Sequence, residues 1–357
     1  MPPPTASAPP APVVSQAKPP SLPVPTPPGP AVVAPAIPPA SPPPEVVQET
    51  PPVPSHVDKD AALRKWVDQQ NRIYRVAAPL LINNTELCPR HVKPILGFTA
   101  KNKYSFSREF IDAAQSSLGL GEELRVMNVL PASGAAQAGL REGDVLVAVE
   151  IEPAPQGPDA EHVAAALIGE EMQGRDSLHL TVMRDGERMA LDVPLTPACA
   201  MALDLGNTDD ARSFSDGRRV MVTRGMLDFA QSDDELAYAL AREIARNEVM
   251  PEARPAMAEL IDHLHTIDAR TASGDAPAAA QGSYSVSDDS ADKLAIYLLA
   301  RAGYDLDGFQ SFWERLESAG QRGIRPATTV ASAHMPTVDQ TIREIKTKKE
   351  DGLPLLP

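Results

Sequence analysis

Residues 232–249 read Ser232-Asp233-Asp234-Glu235-Leu236-Ala237-Tyr238-Ala239-Leu240-Ala241-Arg242-Glu243-Ile244-Ala245-Arg246-Asn247-Glu248-Val249. Ser232 and Glu235 stand at the spacing with which a hydroxyl and a carboxylate cap the free amides of a helix start, so the stretch predicts a helix near 233–249. Upstream, Arg219-Val220-Met221-Val222-Thr223 predicts a strand leading toward it. Downstream, helical patterns cover 255–269, 288–302 and 306–318, so the C-terminal part is mainly helical. The helix at 233–249 carries Arg242-Glu243-Ile244-Ala245-Arg246, a glutamate between two arginines one turn apart. A guanidinium stays protonated and has only donors, so neither arginine can ligate a metal.

Toward the N-terminus the pattern changes to short strands with one clear helix. The strands are predicted at Ile95-Leu96-Gly97-Phe98, Leu124–Leu130, Val145–Ile151, Leu178–Met183 and Arg188–Val193, with the helix at Asp159–Glu171. Asp185-Gly186 between the last two strands is a strong hairpin signal. The run Val129-Leu130-Pro131-Ala132-Ser133-Gly134-Ala135-Ala136-Gln137-Ala138-Gly139-Leu140-Arg141-Glu142-Gly143-Asp144-Val145-Leu146 reads as a strand, a turn of small residues, and a glycine-bearing bend into the next strand. A helical stretch, Ser107–Ser117, precedes it and is followed by Leu118-Gly119-Leu120-Gly121. Before all of this, Leu63, Trp66, Val67, Ile73, Tyr74 and Ala77 fall at helical spacing, which predicts an amphipathic helix over 59–77 ending before Pro79.

The chain has 357 residues, net charge −15, two cysteines and 38 prolines, of which 22 fall within residues 1–56. That segment is almost entirely Pro, Ala, Val, Ser and Thr, with Lys18, Glu45 and Glu49 as its charges, so it reads as a disordered tether over 1–57. Extended at ~3.1 Å per residue, such a tether could reach ~170 Å. The remaining chain suggests two folded units at roughly 150 residues each. The acidic balance argues against nucleic acid as the main partner. No stretch approaches the ~20 apolar residues of a membrane helix, and no export signal is apparent. Cys88 and Cys199 lie in turn-like, Pro-flanked contexts at either end of the strand-rich part. A disulfide there would staple that part shut in an oxidising compartment, and the alternative is two unpaired buried thiols.

The run from Val129 to Leu146 resembles the segment by which bacterial PDZ domains are identified. The resemblance implies that Ile95, Leu96, Gly97 and Phe98 form a carboxylate-binding loop and its strand, with Val163, Ala166 and Leu167 on the opposing helix. A peptide or protein C-terminus would then add as a strand between them. The second Leu-Gly pair at 118–121 competes for the loop assignment.

Residues 216–249, with Val222-Thr223-Arg224-Gly225 and Ser232 to Ala237, resemble the core of family forty-eight of the metallopeptidases, the HtpX and CAAX prenyl protease type. Ser290-Ala291-Asp292, Ala300 to Asp305 and the tail from Glu344 to Pro357 are similar to its exported branch, which carries a PDZ domain before the peptidase domain. Cysteines near positions 88 and 199 also fit that branch. The implied fold is an α+β multidomain chain. It comprises the Pro-rich tether (1–57), a leading helix and connector (58–93), a PDZ-like β-rich domain (94–196) and a mainly helical, zincin-like domain of gluzincin type (197–357).

Family members bind zinc through H-E-x-x-H, and here Arg242 and Arg246 replace both histidines, leaving Glu243 as a relic general base. The third-ligand position is Asp288, followed by Asp292. The later His-Pro motif reads Ala333-His334-Met335-Pro336, the arginine expected beyond it is Thr341, and an Asn-Ala pair of the edge strand appears as Arg212-Ser213. The resemblance therefore implies zinc in the family and no cofactor here. Two guanidiniums where a dication would sit predict an ion-pair network of Arg242 and Arg246 with Asp288, Asp292 or Glu243. The alternative is a solvated helix face. The reading favours a noncatalytic, peptide-binding relative, periplasmic or in the cell envelope if an upstream signal exists. Its rival is an active metalloendopeptidase with an unusual site around Glu243, Asp288 and His334.

Overall fold

The computed structural model of the chain describes residues 58–250, 254–267, 288–320 and 335–357. The proposed tether and His334 lie outside these residues. Helix α1 (Lys59–Ile82) starts where the Asp58 carboxylate accepts from the Ala61 amide at 3.1 Å. It runs through Pro79 instead of stopping before it. Burial of Leu80 and Leu81 holds the last turn in place, and the Asn83 amide closes it on the Pro79 carbonyl at 3.1 Å.

The β-rich part follows, with β1 (Val92–Ile95), β2 (Phe98–Lys101), α2 (Ile111–Leu118), β3 (Arg125–Val129), α3 (Gly134–Gln137), β4 (Val145–Val149), β5 (Glu152–Pro153), α4 (Ala160–Glu171), β6 (Ser177–Arg184) and β7 (Glu187–Pro194). The predicted strand at 95–98 is in fact the end of β1, a two-residue bend at Leu96-Gly97, and the start of β2. The antiparallel sheet runs β2-β3-β4-β6-β7, which leaves β2 at an edge. Asp185 and Gly186 both adopt positive φ, 51° and 85°, as the tight hairpin between β6 and β7 requires. Alternate residues of β6, Leu178, Leu180 and Val182, pack into one core with Leu146, Val149, Leu191 and Ala164. The Leu118–Gly121 pair is resolved by local geometry: Gly119, at φ 64°, is the left-handed cap of α2.

The second half comprises β8 (Thr196–Cys199), β9 (Ala202–Gly206), β10 (Ser213–Ser215), β11 (Arg219–Thr223), α5 (Arg224–Phe229), α6 (Asp233–Val249), α7 (Pro255–Leu264), α8 (Asp288–Ala302), α9 (Phe309–Gly320) and α10 (Met335–Glu350). It is less purely helical than its sequence suggests, because β10-β11-β9 form a small mixed sheet beside α6. At the start of α6, Ser232 Oγ accepts from the Glu235 amide at 3.2 Å, and Glu235 Oε2 accepts from the Gln231 amide at 2.7 Å. The larger core gathers α6, α8 and α9 together with α1 and Phe106 to Leu120, so the leading helix and part of the β-rich segment pack with the helical half. Residues 56–357 form one compact unit. Besides this packing, the β1–β8 ladder, with Val92 opposite Cys199, and a disulfide between Cys88 and Cys199 tie the β-rich part to the rest. No helix among the described residues is long and apolar enough to cross a membrane.

Candidate functional site

Helix α6 is buried on nearly every side from Leu236 to Glu248, so its arginines do not sit on a solvated face. Arg242 is 0% exposed and its Nε donates to Asp292 Oδ1, itself 0% exposed, at 2.6 Å. The guanidinium carbon of Arg242 lies 5.1 Å from the ring centroid of buried Trp313. Both Arg242 Nη groups lack a hydrogen-bond acceptor, so the ring face supplies their electrostatic partner. One turn further on, Arg246 Nη1 donates to Glu243 Oε1 at 2.9 Å, with both side chains 1% exposed.

The remaining contacts of Glu243 come from β10. Ser213 and Ser215 are two apart and therefore point to one face of the strand. Ser213 Oγ donates to Glu243 Oε1 at 3.0 Å and Ser215 Oγ to Oε2 at 2.6 Å, while Arg254 Nη2 donates to Ser215 Oγ at 3.1 Å. Burial pushes the Glu243 carboxyl up, but Arg246, the Ser215 hydroxyl, Arg242 and Arg254 together outweigh it and hold the group below the ordinary carboxylate range. A carboxylate held ionised by arginines and hydroxyls is a poor proton acceptor. Asp288 opens α8, and of the proposed rival set Glu243, Asp288 and His334 only the Glu243 side chain can be placed. The zinc implied by the family resemblance does not fit these residues. The positions of both histidines hold guanidiniums, and Asp292 and Glu243 are already committed to them. Among the described residues no three His, Cys, Asp or Glu side chains gather to hold a metal.

A second site lies at the edge of the β-rich sheet. A groove of about 570 Å³ runs between β2 and α4, lined by Ile95, Leu96, Gly97 and Phe98 on the strand side and by Ala164, Ala165, Ile168 and Met172 on the helix side. Val163 and Leu167 do not line it. Val163 is 47% exposed and Leu167 packs into the sheet core, because the groove-facing stripe of α4 is set one position away from the sequence-based assignment. The inner end of the groove is a turn of backbone amides. The Leu96 carbonyl accepts from the Ala135 amide at 3.0 Å and the Gly97 carbonyl from the Leu130 amide at 2.8 Å. In a planar trans peptide the N–H points opposite to the C=O, so the amides of Gly97 and Phe98, which line the groove, point away from Ala135 and Leu130. Gly97 permits this at φ 88°, and a Cβ there would run into the side chain of buried Ser133.

No protein-family model and no curated protein matches the chain. Solved structures do match, over about a third of it. The HtrA3 PDZ domain bound to a phage-derived ligand is 19% identical, covering 30% of this chain and 88% of that one with a TM-score of 0.22. A serine endoprotease from Yersinia pestis is 20% identical over 30% of each chain, with a TM-score of 0.20. The HtrA-type protease AlgW with a decapeptide is 24% identical over 30% of each chain, with a TM-score of 0.22. The match thus spans about 30% of the length of either protease.

The groove's other wall is not legible from its own sequence segment. Tyr74 and Leu81 of α1 and Met201, Leu203 and Asp204 of β9 and its approach line the same cavity, as does Cys199. Lys101 Nζ donates to Glu161 Oε1 at 3.1 Å, linking the end of β2 to the start of α4. These residues come from separate elements of the chain, and no local motif announces their meeting.

Proposed function

We propose that the chain is a catalytically degenerate relative of family forty-eight metallopeptidases that binds a peptide or protein C-terminus through a PDZ-like domain. The observation that carries this reading is the groove beside the unpaired edge of β2, lined by Gly97 and Phe98, whose amides point opposite to the bonded Leu96 and Gly97 carbonyls. Such an edge offers a ladder to an added strand, and two convergent amides suit its terminal carboxylate. The buried Arg242–Asp292 and Arg246–Glu243 pairs support the degenerate half of the proposal, since they put fixed cations where the related enzymes need lone pairs. The Cys88–Cys199 bridge supports an oxidising compartment, periplasmic or in the cell envelope.

Fluorescence anisotropy of the full chain with labelled hexapeptides tests the binding half. Free-acid peptides with an apolar last residue should bind and their C-terminal amides should not. Equal binding of acid and amide forms would refute the carboxylate role. Metal analysis of the purified chain tests the other half. About one tightly held zinc per chain, together with peptide cleavage lost on chelation, would overturn it.

A further inference from the structure

The far end of the groove carries a second recognition element. We infer that Asp204 and Glu161 read a basic side chain three or four residues before the bound C-terminus, an inference that rests on the peptide-binding reading above. A carboxylate at Gly97 and Phe98 fixes the direction of the ligand: its C-terminus sits at the start of β2, so it runs antiparallel to Phe98–Lys101. At about 3.3 Å per residue, the peptide residue three before the end lies some 10 Å along, beside Lys101. There the Lys101–Glu161 pair joins strand to helix and ends the groove.

Asp204 faces the same end. It lines both the groove and an adjoining cavity of about 310 Å³ that it shares with Tyr74, Lys101, Glu161 and His265. Its carboxylate accepts no hydrogen bond and makes no ion pair within the described residues. Burial holds its carboxyl above the ordinary aspartate range; the charges of Arg219, His265 and Lys101 offset this only in part, and Asp216 adds to it. Lys101 is already bound to Glu161, and Arg219 and His265 act on Asp204 without hydrogen-bonding or ion-pairing to its carboxylate, so Asp204 is left without a direct cationic partner among the described residues. A lysine or arginine from the ligand supplies the missing charge. Asp204 belongs to β9 and Glu161 to α4, so specificity at this position draws on the helical half as well as on the β-rich domain that binds the carboxylate.

The test uses the full chain and free-acid hexapeptides that differ only at the residue three or four before the end, carrying Lys, Ala or Glu. A charge-assisted contact in a partly buried site predicts about tenfold tighter binding for Lys than for Ala, with Glu weaker than Ala. The ratio should shrink between 50 and 500 mM KCl and approach one in Asp204→Asn and in Glu161→Gln. A Lys-to-Ala ratio near one in the native chain overturns the inference while leaving carboxylate docking intact. If no free-acid peptide binds, the docking reading itself falls and this inference with it.

Discussion

Removing Asp292 isolates the energetic logic of the arginine centre. Arg242 and Asp292 are both 0% exposed, so neither solvent nor salt screens their pairing. Asp292→Ala leaves a guanidinium that cannot deprotonate and has lost its hydrogen-bonded carboxylate, and breaking a buried pair from one side costs about 3–5 kcal/mol. Arg242→Met leaves the opposite problem, but a stranded carboxyl can take up a proton at about 1.36 kcal/mol per pKa unit. The two single variants should therefore differ in their pH response. The penalty of Arg242→Met shrinks as pH falls from 7 toward 5, whereas that of Asp292→Ala stays flat. The double variant Arg242→Met/Asp292→Leu, with apolar groups of similar volume, should recover most of the loss or exceed the native stability. Urea denaturation of the native chain, Arg242→Met, Asp292→Leu and the double variant, followed by tryptophan fluorescence and far-ultraviolet circular dichroism, gives all four corners of the cycle, with Asp292→Ala measured beside it. A cost under about 1 kcal/mol for Asp292→Ala, or a double variant as unstable as the sum of the singles, would refute the buried-pair argument.

Further outcomes follow from the same geometry. Glu243 titrates below its ordinary value of 4.5 in the folded state, so its contribution to stability is present above pH 4.5 and is lost as pH falls through the folded value. Glu243→Gln should flatten that acid-side loss in denaturation curves taken from pH 6 to 3. Asp204 shifts the other way: its ionisation opposes folding as pH rises above the unfolded value of 3.8, so Asp204→Asn should be more stable than the native chain at pH 7 and gain nothing at pH 3. Cys88→Ser/Cys199→Ser removes a cross-link spanning 111 positions and should cost about 2–5 kcal/mol, a loss that dithiothreitol reproduces in the native chain. An unchanged melting midpoint under reductant contradicts this. Gly97→Ala forces a side chain into a left-handed φ and against Ser133, and should cost more than about 1 kcal/mol as well as peptide affinity.

Local signals in the sequence mark most elements well. The Ser232/Glu235 cap, the Asp185-Gly186 hairpin and the 3.6-residue spacing of α1 each depend on neighbours a few positions away, and each appears in the structure. Failures occur where tertiary burial decides. Pro79 looks like a helix stop until Leu80 and Leu81 are seen to be buried. The groove face of α4 is misjudged by one position, because its residues are small and apolar nearly all round, leaving periodicity little contrast to detect. Ser215 and Asp204 carry no motif at all; they matter because β10 and β9 bring them to Glu243 and to the groove.

The arginine centre and the groove are built in opposite ways. In the helical half Arg242, Glu243, Arg246 and Asp292 all lie inside the core, so the residues at 242 and 246 must fill volume and balance charge at once. Arginine does both: its stem packs, its guanidinium pairs with Asp292 or Glu243, and Trp313 takes the unpaired face. That arrangement commits both carboxylates to buried ion pairs. The groove is built the other way, with backbone amides for affinity and a free strand edge, neither of which depends on side-chain identity beyond Gly97. Its distal wall, however, is the helical half. β9, which carries Asp204, pairs with β11, β11 pairs with β10, and the β10 serines bond Glu243, so a continuous set of contacts joins the arginine centre to that wall. Loosening the centre through Asp292→Ala should therefore weaken the preference for a basic residue more than it weakens carboxylate-dependent binding. A uniform loss of both would place the groove's rigidity in the Cys88–Cys199 link and the β1–β8 ladder instead.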